Sequence, residues 1–253
     1  MTPTSDVQIF VADLHLDGTA TPRALAFRGL LADLSQKAAN GSVTLFVIGD
    51  LFEFWEEAHS QVAAIYEDDL KALEAANRSG VKIVLFSGNR DFLYGSYVKQ
   101  RLAAQYVPDG LKVDSLWLEH GDLLCTGDVR YLRYRKWVRS WPVRALLYCM
   151  PWFCAKRLIG KLRSQTVKDK ASKPREAFDV DVVAARARLM AEHAKTLLCG
   201  HTHRAQETDL GEGRRLFVLP PWCDEPAGYV SDGTGLKRMR FGSDGRTWQP
   251  WAL

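Results

Sequence analysis

Five short apolar, β-branched segments, 7–12, 43–48, 81–86, 116–118 and 196–199, each stop abruptly at a polar cluster, and this constrains the chain more than any other feature. Such runs have the pattern of buried strands. Helical patterns over about 21–39 and 61–77 separate the first three, the second ending at Ser79-Gly80, a helix stop. This βαβαβ order favours a sheet with helices on its faces, whose functional loops gather beyond the carboxyl ends of the strands. Later, 180–193 is helix-like and leads into the strand at 196, while 214–219 and 236–241 read as closing strands between the turn signals of Gly211 to Gly213, Gly233 to Gly235 and Asp244-Gly245. A length of 253 residues suits one large domain, or a domain with an insertion.

The residues at those strand ends carry chemistry. Four of the six histidines, His15, His120, His201 and His203, stand where a strand has just ended. Asp13-Leu14-His15 and His201-Thr202-His203 have an i, i+2 spacing, which on extended backbone turns both side chains to one side. The other ends supply Gly49-Asp50, Gly88-Asn89-Arg90-Asp91 and His120-Gly121-Asp122. Each fragment alone is as compatible with an ordinary turn; together, in order and each after a strand, they predict a metal centre. Imidazole, carboxylate and amide oxygen without thiolate suit Mn, Fe or Zn. The five cysteines are an odd number with no CxxC pair, which argues against a disulfide framework and a thiolate zinc site and favours a reducing cytosol. Cys199 reads as a small core residue, and His59 and His193 as surface or helix-packing residues.

The segment 126–179 differs in character. It shows no strand signal, is rich in aromatics (Tyr131, Tyr134, Trp137, Trp141, Tyr148, Trp152, Phe153), and up to Glu176 holds 14 Lys/Arg against 3 Asp/Glu in a chain whose overall net charge is only +4. It is expected to be a helical insertion between core segments 1–125 and 180–253, facing something anionic or solvated as a basic face. The longest apolar run, 145–155, has 11 residues and contains Pro151, well short of the roughly 20 that span a bilayer. No signal-peptide pattern opens the chain.

The motifs DLH, GDLFEFW, GNRD, HGD and GHTH, between 13 and 203, resemble the calcineurin-like metallophosphoesterase superfamily. That resemblance implies an α/β fold: a metallophosphoesterase β-sandwich flanked by helices, here with an inserted helical cap. It also implies two divalent metal ions at the strand ends. One would be held by Asp13, His15, Asp50 and His203, the other by Asp50, Asn89, His120 and His201, with Asp50 bridging. Two such ions lower the pKa of a shared water and polarise phosphoryl oxygens for in-line attack. Arg90 carries a fork of donors suited to a phosphate oxygen, or pairs with Asp91 or Asp122.

The stretches 49–55, 88–95 and 120–135 more specifically resemble the UDP-2,3-diacylglucosamine hydrolases of lipid A biosynthesis. This implies cleavage of UDP-2,3-diacylglucosamine at the α-phosphorus to UMP and 2,3-diacylglucosamine 1-phosphate, with Mn(II), by an enzyme peripheral on the cytoplasmic face of the inner membrane. Asn89, Arg90 and His120 would act in catalysis, and Asn89, Arg90, Asp128, Tyr131, Arg163, Thr166 and Lys173 would contact substrate. No nucleic acid and no obligate protein partner are expected. Trp141, Leu146, Leu147, Met150, Trp152, Phe153, Leu158 and Ile159 would line an acyl groove or form the cap's own core. Lys156, Arg157, Lys161, Arg163, Lys168, Lys170 and Lys173 would meet anionic headgroups or solvent. The chain departs from the family pattern at Glu56-Glu57, Gly127 and 219–222. Because one fold serves many phosphoesters, a phosphodiesterase acting on another nucleotide or on nucleic acid is the alternative, and a non-catalytic scaffold a third reading.

Overall fold

The computed structural model describes residues 6–155, 157, 179–233 and 235–251. Its core is two stacked sheets. The larger has seven strands in the order β12-β11-β10-β1-β2-β3-β4, formed by β1 (Val7–Val11), β2 (Val43–Val47), β3 (Val81–Phe86), β4 (Gln105–Val107), β10 (Ala227–Ser231), β11 (Leu236–Phe241) and β12 (Trp248–Pro250). The smaller has the order β5-β6-β7-β9-β8, from β5 (Leu111–Val113), β6 (Leu116–Leu118), β7 (Thr196–Cys199), β8 (Gln206–Gly211) and β9 (Arg214–Val218). Strands β1 to β4 run parallel, as do β6, β7 and β9. Phe10, Phe46, Ile48, Val84 and Phe86 of the first sheet meet Leu118, Leu198, Phe217 and Leu219 of the second in a buried apolar layer between them.

Helices cover the outer faces, as expected for a flanked sandwich. Helix α1 (Pro22–Ala38) starts at the N-cap Thr21, whose side chain accepts from Ala24 N, with Pro22 in the first turn. It buries Ala24, Phe27, Leu30, Leu31 and Leu34 at helical spacing against β1 to β3. The helical pattern at 61–77 is broken: α2 (Ser60–Ile65) and α3 (Glu67–Arg78) part at Tyr66. Tyr66 is drawn into an aromatic cluster, its ring 4.5 Å from that of Phe52 and 6.0 Å from that of Trp55, while its hydroxyl accepts from Phe54 N. Glu67, Asp68 and Asp69 then start α3, where acidic groups favour a helix N-terminus. Short α4 (Ser96–Leu102) follows β3. In the basic segment lie α5 (Val129–Val138) and α6 (Trp141–Cys149). On the second sheet, α7 (Val182–Ala191), capped by Asp181, buries Ala185 and Leu189 against β7 and β9.

Strands β4, β5, β8, β10 and β12 lack the apolar signature that marks the others. The most consequential is β10, which pairs antiparallel with β1 near the middle of the large sheet. Its Gly228 packs so closely on the Phe10 carbonyl that a Cβ would overlap the oxygen, so glycine there permits close approach of the two strands.

Candidate metal centre

The loops after β1, β2, β3, β6 and β7 come together at one end of the sandwich. The first two are joined by backbone hydrogen bonds, Asp13 N to the Gly49 carbonyl at 3.2 Å and His15 N to the Asp50 carbonyl at 3.0 Å. Asp13, His15, Asp50, His201 and His203 all adopt left-handed backbone, with φ of 55, 47, 53, 73 and 57°. Non-glycine residues rarely sit there; five together at one site mark backbone strain held by the surrounding fold. Gly49, at φ 80°, has no room for a side chain because a Cβ would enter the His120 ring.

Within this cluster, His15 Nε2 and His203 Nε2 approach to 3.1 Å, and Asp50 Oδ2 lies 3.8 Å from both His15 Nε2 and His120 Nε2. Asp50 thus stands between two histidine groups. Asp13 Oδ2 accepts from His201 N at 2.9 Å; its Oδ1, wholly buried and without a hydrogen-bond partner, faces His203 Nε2 at 3.6 Å. Potential ligand atoms of Asp13, Asp50 and His120 lie within 4.8 Å of one another, and so do those of His15, His203 and Cys223. His120 Nδ1 donates to the Ile48 carbonyl at 3.0 Å, which turns Nε2 onto the site, 3.3 Å from Asn89 Oδ1. Asn89 lies against the Asp50 carboxylate: turned one way its NH2 donates to Asp50 Oδ1 at 3.2 Å, turned the other way it presents oxygen to the same place, the orientation a shared cation selects.

The electrostatics favour positive charge in the cleft. Burial opposes ionisation of Asp13, yet His203, His120 and His15 hold its carboxyl well below the usual range. Burial also opposes charge on His203, but Asp13 and Cys223 push its pKa up to about 10. A buried carboxylate oxygen without a hydrogen-bond partner beside clustered imidazoles, which a bound cation would deprotonate, is a donor set suited to a divalent metal.

A second ring of residues fixes these groups. Buried Asp91 accepts from Gly88 N, Asp50 N and Phe52 N and from the Tyr94 hydroxyl, tying the β2 and β3 loops together. Arg90 pairs with Glu53 instead of Asp91 or Asp122, and Glu53 also lies 3.4 Å from His15 Nδ1. Asp122 accepts from the Tyr131 hydroxyl at 2.6 Å and from Arg135 Nε at 2.7 Å; burial raises its pKa, but His120, His201 and Arg135 hold it well below the usual range. The Tyr131 ring lies 5.9 Å from that of His201, and Arg139 donates to the Gly88 carbonyl at 2.8 Å. Helix α5 is thereby pinned beside the centre. Asp128 is its N-cap, accepting from Tyr131 N. Arg163, Thr166 and Lys173 lie outside the described residues.

Curated relatives share this chain nearly end to end. The UDP-2,3-diacylglucosamine hydrolase of Aromatoleum aromaticum is 32% identical over 246 residues, 93% of this chain and 97% of that protein. That of Haemophilus influenzae is 32% identical over 218 residues, 84% and 89% of the two. The chain belongs to the UDP-2,3-diacylglucosamine hydrolase family. The relative of the same name in Neisseria meningitidis serogroup A is 30% identical over 231 residues, 89% of this chain and 94% of that one. No family model matches. A solved predicted phosphoesterase from Streptococcus pneumoniae TIGR4, 13% identical over 95% of this chain and 91% of its own, has a TM-score of 0.43, too distant a likeness to bear on function.

Two of the departures from the family pattern, Glu56 and Glu57, have structural work in this member. Glu57 accepts from Tyr97 N and Val98 N at the start of α4. Glu56, nearly fully buried, accepts from Ala58 N and from His59 Nδ1, and His59 Nε2 donates to the Met150 carbonyl at 2.7 Å, so His59 bridges core and basic segment and is no bystander. Trp222, buried, donates from Nε1 to the Arg23 carbonyl. Glu53, Arg135, Arg139 and Cys223 escape sequence reasoning. Glu53 lies inside GDLFEFW, where only the aspartate reads as a ligand, and Cys223 lies 20 residues beyond His203 with no ligand-like spacing.

Proposed function

We propose that this protein hydrolyses UDP-2,3-diacylglucosamine at the α-phosphorus, giving UMP and 2,3-diacylglucosamine 1-phosphate. What carries the reading is the meeting of Asp13, His15, Asp50, Asn89, His120, His201 and His203 in one cleft, in a chain whose relatives bear that enzyme's name. Two divalent cations, most readily Mn(II), would be held by Asp13, His15, Asp50 and His203 and by Asp50, Asn89, His120 and His201; when bound they activate water and neutralise charge on the phosphoryl oxygens.

The chain's own groups do the rest. Arg90, released from Glu53, offers its guanidinium to a phosphate oxygen as charge develops. His120, its Nδ1 committed to Ile48, keeps Nε2 directed at the reacting region, and Asn89 beside it orients the same face. Tyr131 and Asp128, at the start of α5, would form the wall where a sugar phosphate lies, and Arg163, Thr166 and Lys173 of the same insertion would be its further contacts.

Residues 126–179 would act as a cap over the core of 1–125 and 180–253. Trp141, Leu146 and Phe153 are 78, 60 and 73% exposed, which supports apolar surface for acyl chains over a cap core of their own. Arg130, Arg133, Lys136 and Arg144 on α5 and α6 add positive charge to that surface, suited to peripheral contact with an anionic inner membrane on its cytoplasmic face. Among the described residues no helix is long and apolar enough to cross a membrane.

The test is incubation of the purified protein with UDP-2,3-diacylglucosamine and manganese, with and without chelator, and identification of the phosphorus products. Chelator-sensitive release of UMP with the diacyl sugar phosphate is expected. An intact lipid substrate alongside hydrolysis of a simple aryl phosphodiester would keep the metal centre and overturn the substrate.

A further inference from the structure

His59 ties the finish of α6 to the core. The ground it stands on is firm: Trp55 N donates to the Arg90 carbonyl at 3.3 Å, and Glu56 forms an isolated β-bridge with Leu93. The stretch 55–59 is therefore joined to the loop that carries Asn89 and Arg90. The buried Glu56 carboxylate accepts from Ala58 N at 2.6 Å and from His59 Nδ1 at 2.8 Å, which fixes the imidazole. Its other edge reaches into the basic segment. Nε2 donates at 2.7 Å to the carbonyl of Met150, the residue that closes α6, and the Trp152 ring lies 5.4 Å away, itself packed against the larger core cluster. Helix α6 buries none of its own residues, so its two ends set its place. Its start follows α5, which Asp122 holds through Arg135 and Gly88 through Arg139; its finish is set by His59 and Trp152. Exposed Leu146 and Phe153 stand on either side of that tie.

On the substrate reading above, we infer that His59 is a positioning residue for the lipid end of the substrate, holding the apolar surface of Trp141, Leu146 and Phe153 in a fixed relation to the loop of Asn89 and Arg90. A single substrate molecule must place its pyrophosphate at that loop and its acyl chains on apolar surface at once. A surface already ordered loses little further freedom when the chains arrive, and this preorganisation tightens binding. His59 touches no reacting atom. A small phosphodiester without acyl chains has no use for the tie.

Two measurements on His59→Ala beside the parent test this. Amide hydrogen exchange of the substrate-free protein should quicken about tenfold or more in 141–155, as loss of a hydrogen bond at one anchor would give, and stay unchanged in β1 to β3. With manganese, kcat/KM for UDP-2,3-diacylglucosamine should fall about tenfold, chiefly through KM, while hydrolysis of bis(4-nitrophenyl) phosphate keeps the parent's rate. Unchanged exchange in 141–155 overturns the tie, and exchange that quickens evenly along the chain makes His59 a general stabiliser and overturns it too. Quicker exchange in 141–155 with an unchanged kcat/KM for the lipid leaves a structural tie and overturns the positioning role. A parent that cleaves the aryl diester and leaves the lipid intact overturns the substrate reading, and the part of His59 toward acyl chains with it; the exchange data then still decide whether His59 holds α6.

Discussion

Asp50 Oδ2 lies 3.8 Å from Nε2 of His120, and the same oxygen lies 3.8 Å from Nε2 of His15. One carboxylate is thus shared between two histidine groups. In the proposed two-ion centre its replacement would remove a ligand from each ion at once, so Asp50→Ala should lose bound metal and at least about a thousandfold in turnover, several kcal/mol of charge stabilisation at about 1.4 kcal/mol per decade. Its fold should persist, because the substitution also removes a buried negative charge that, added to the larger effect of burial, raises the Asp91 pKa to about 6. Metal content by elemental analysis together with rates checks this; substantial activity in a metal-loaded variant refutes the assignment.

Gly49→Ala should destabilise the protein by about 2 kcal/mol or more. Its φ of 80° strains any L residue, and the added methyl would overlap the ring of His120. Urea unfolding measures the loss, and metal affinity should fall with it as His120 is displaced. An unchanged midpoint would contradict the packing.

His59 has two acceptors, the Glu56 carboxylate at 2.8 Å and the Met150 carbonyl at 2.7 Å, which only the doubly protonated imidazolium satisfies. Burial opposes that charge, but Met150 and Glu56 outweigh it and raise the pKa above its usual value. A raised histidine pKa contributes stability that is fully present below the unfolded value of about 6.5 and is lost as pH rises through the folded one. The stability gap between the parent and His59→Gln should therefore be widest in mildly acidic buffer and narrow in alkaline buffer. Denaturation at a series of pH values reads the gap; a constant difference across the series would rule out the charged bridge.

Tyr131→Phe keeps a ring beside His201 but deprives buried Asp122 of its 2.6 Å hydroxyl donor. Loss of a hydrogen bond to a charged acceptor costs about 1.5–3 kcal/mol. Thermal and urea midpoints should fall accordingly, with metal stoichiometry unchanged because Tyr131 is no ligand. Loss of metal with an unaltered midpoint would reverse that division of roles.

The candidate ligands were legible because their signal is local. An apolar run that ends in Asp-Leu-His, Gly-Asp or His-Thr-His announces both a strand and what its end carries, and parallel strands bring their carboxyl ends to one side. The helix over 21–39 was legible for the same reason: its cap, its proline and its apolar spacing all lie within a few residues of one another. Strand β10 was not, since the need for glycine at 228 comes from the close approach of the Phe10 carbonyl, more than 200 residues away in sequence.

Sequence by itself determined the strand-end chemistry, the sandwich and the family, through patterns that adjacent residues spell out. The tertiary structure alone decided that Arg90 meets Glu53, 37 residues away, that His59 reaches Met150 across 91, and that Cys223 comes to rest beside His203. Those contacts join segments whose own composition is indifferent to the partner. They exist only once two sheets have stacked and brought distant loops to the same end, where each polar group must find whichever donor or acceptor is within about 3 Å.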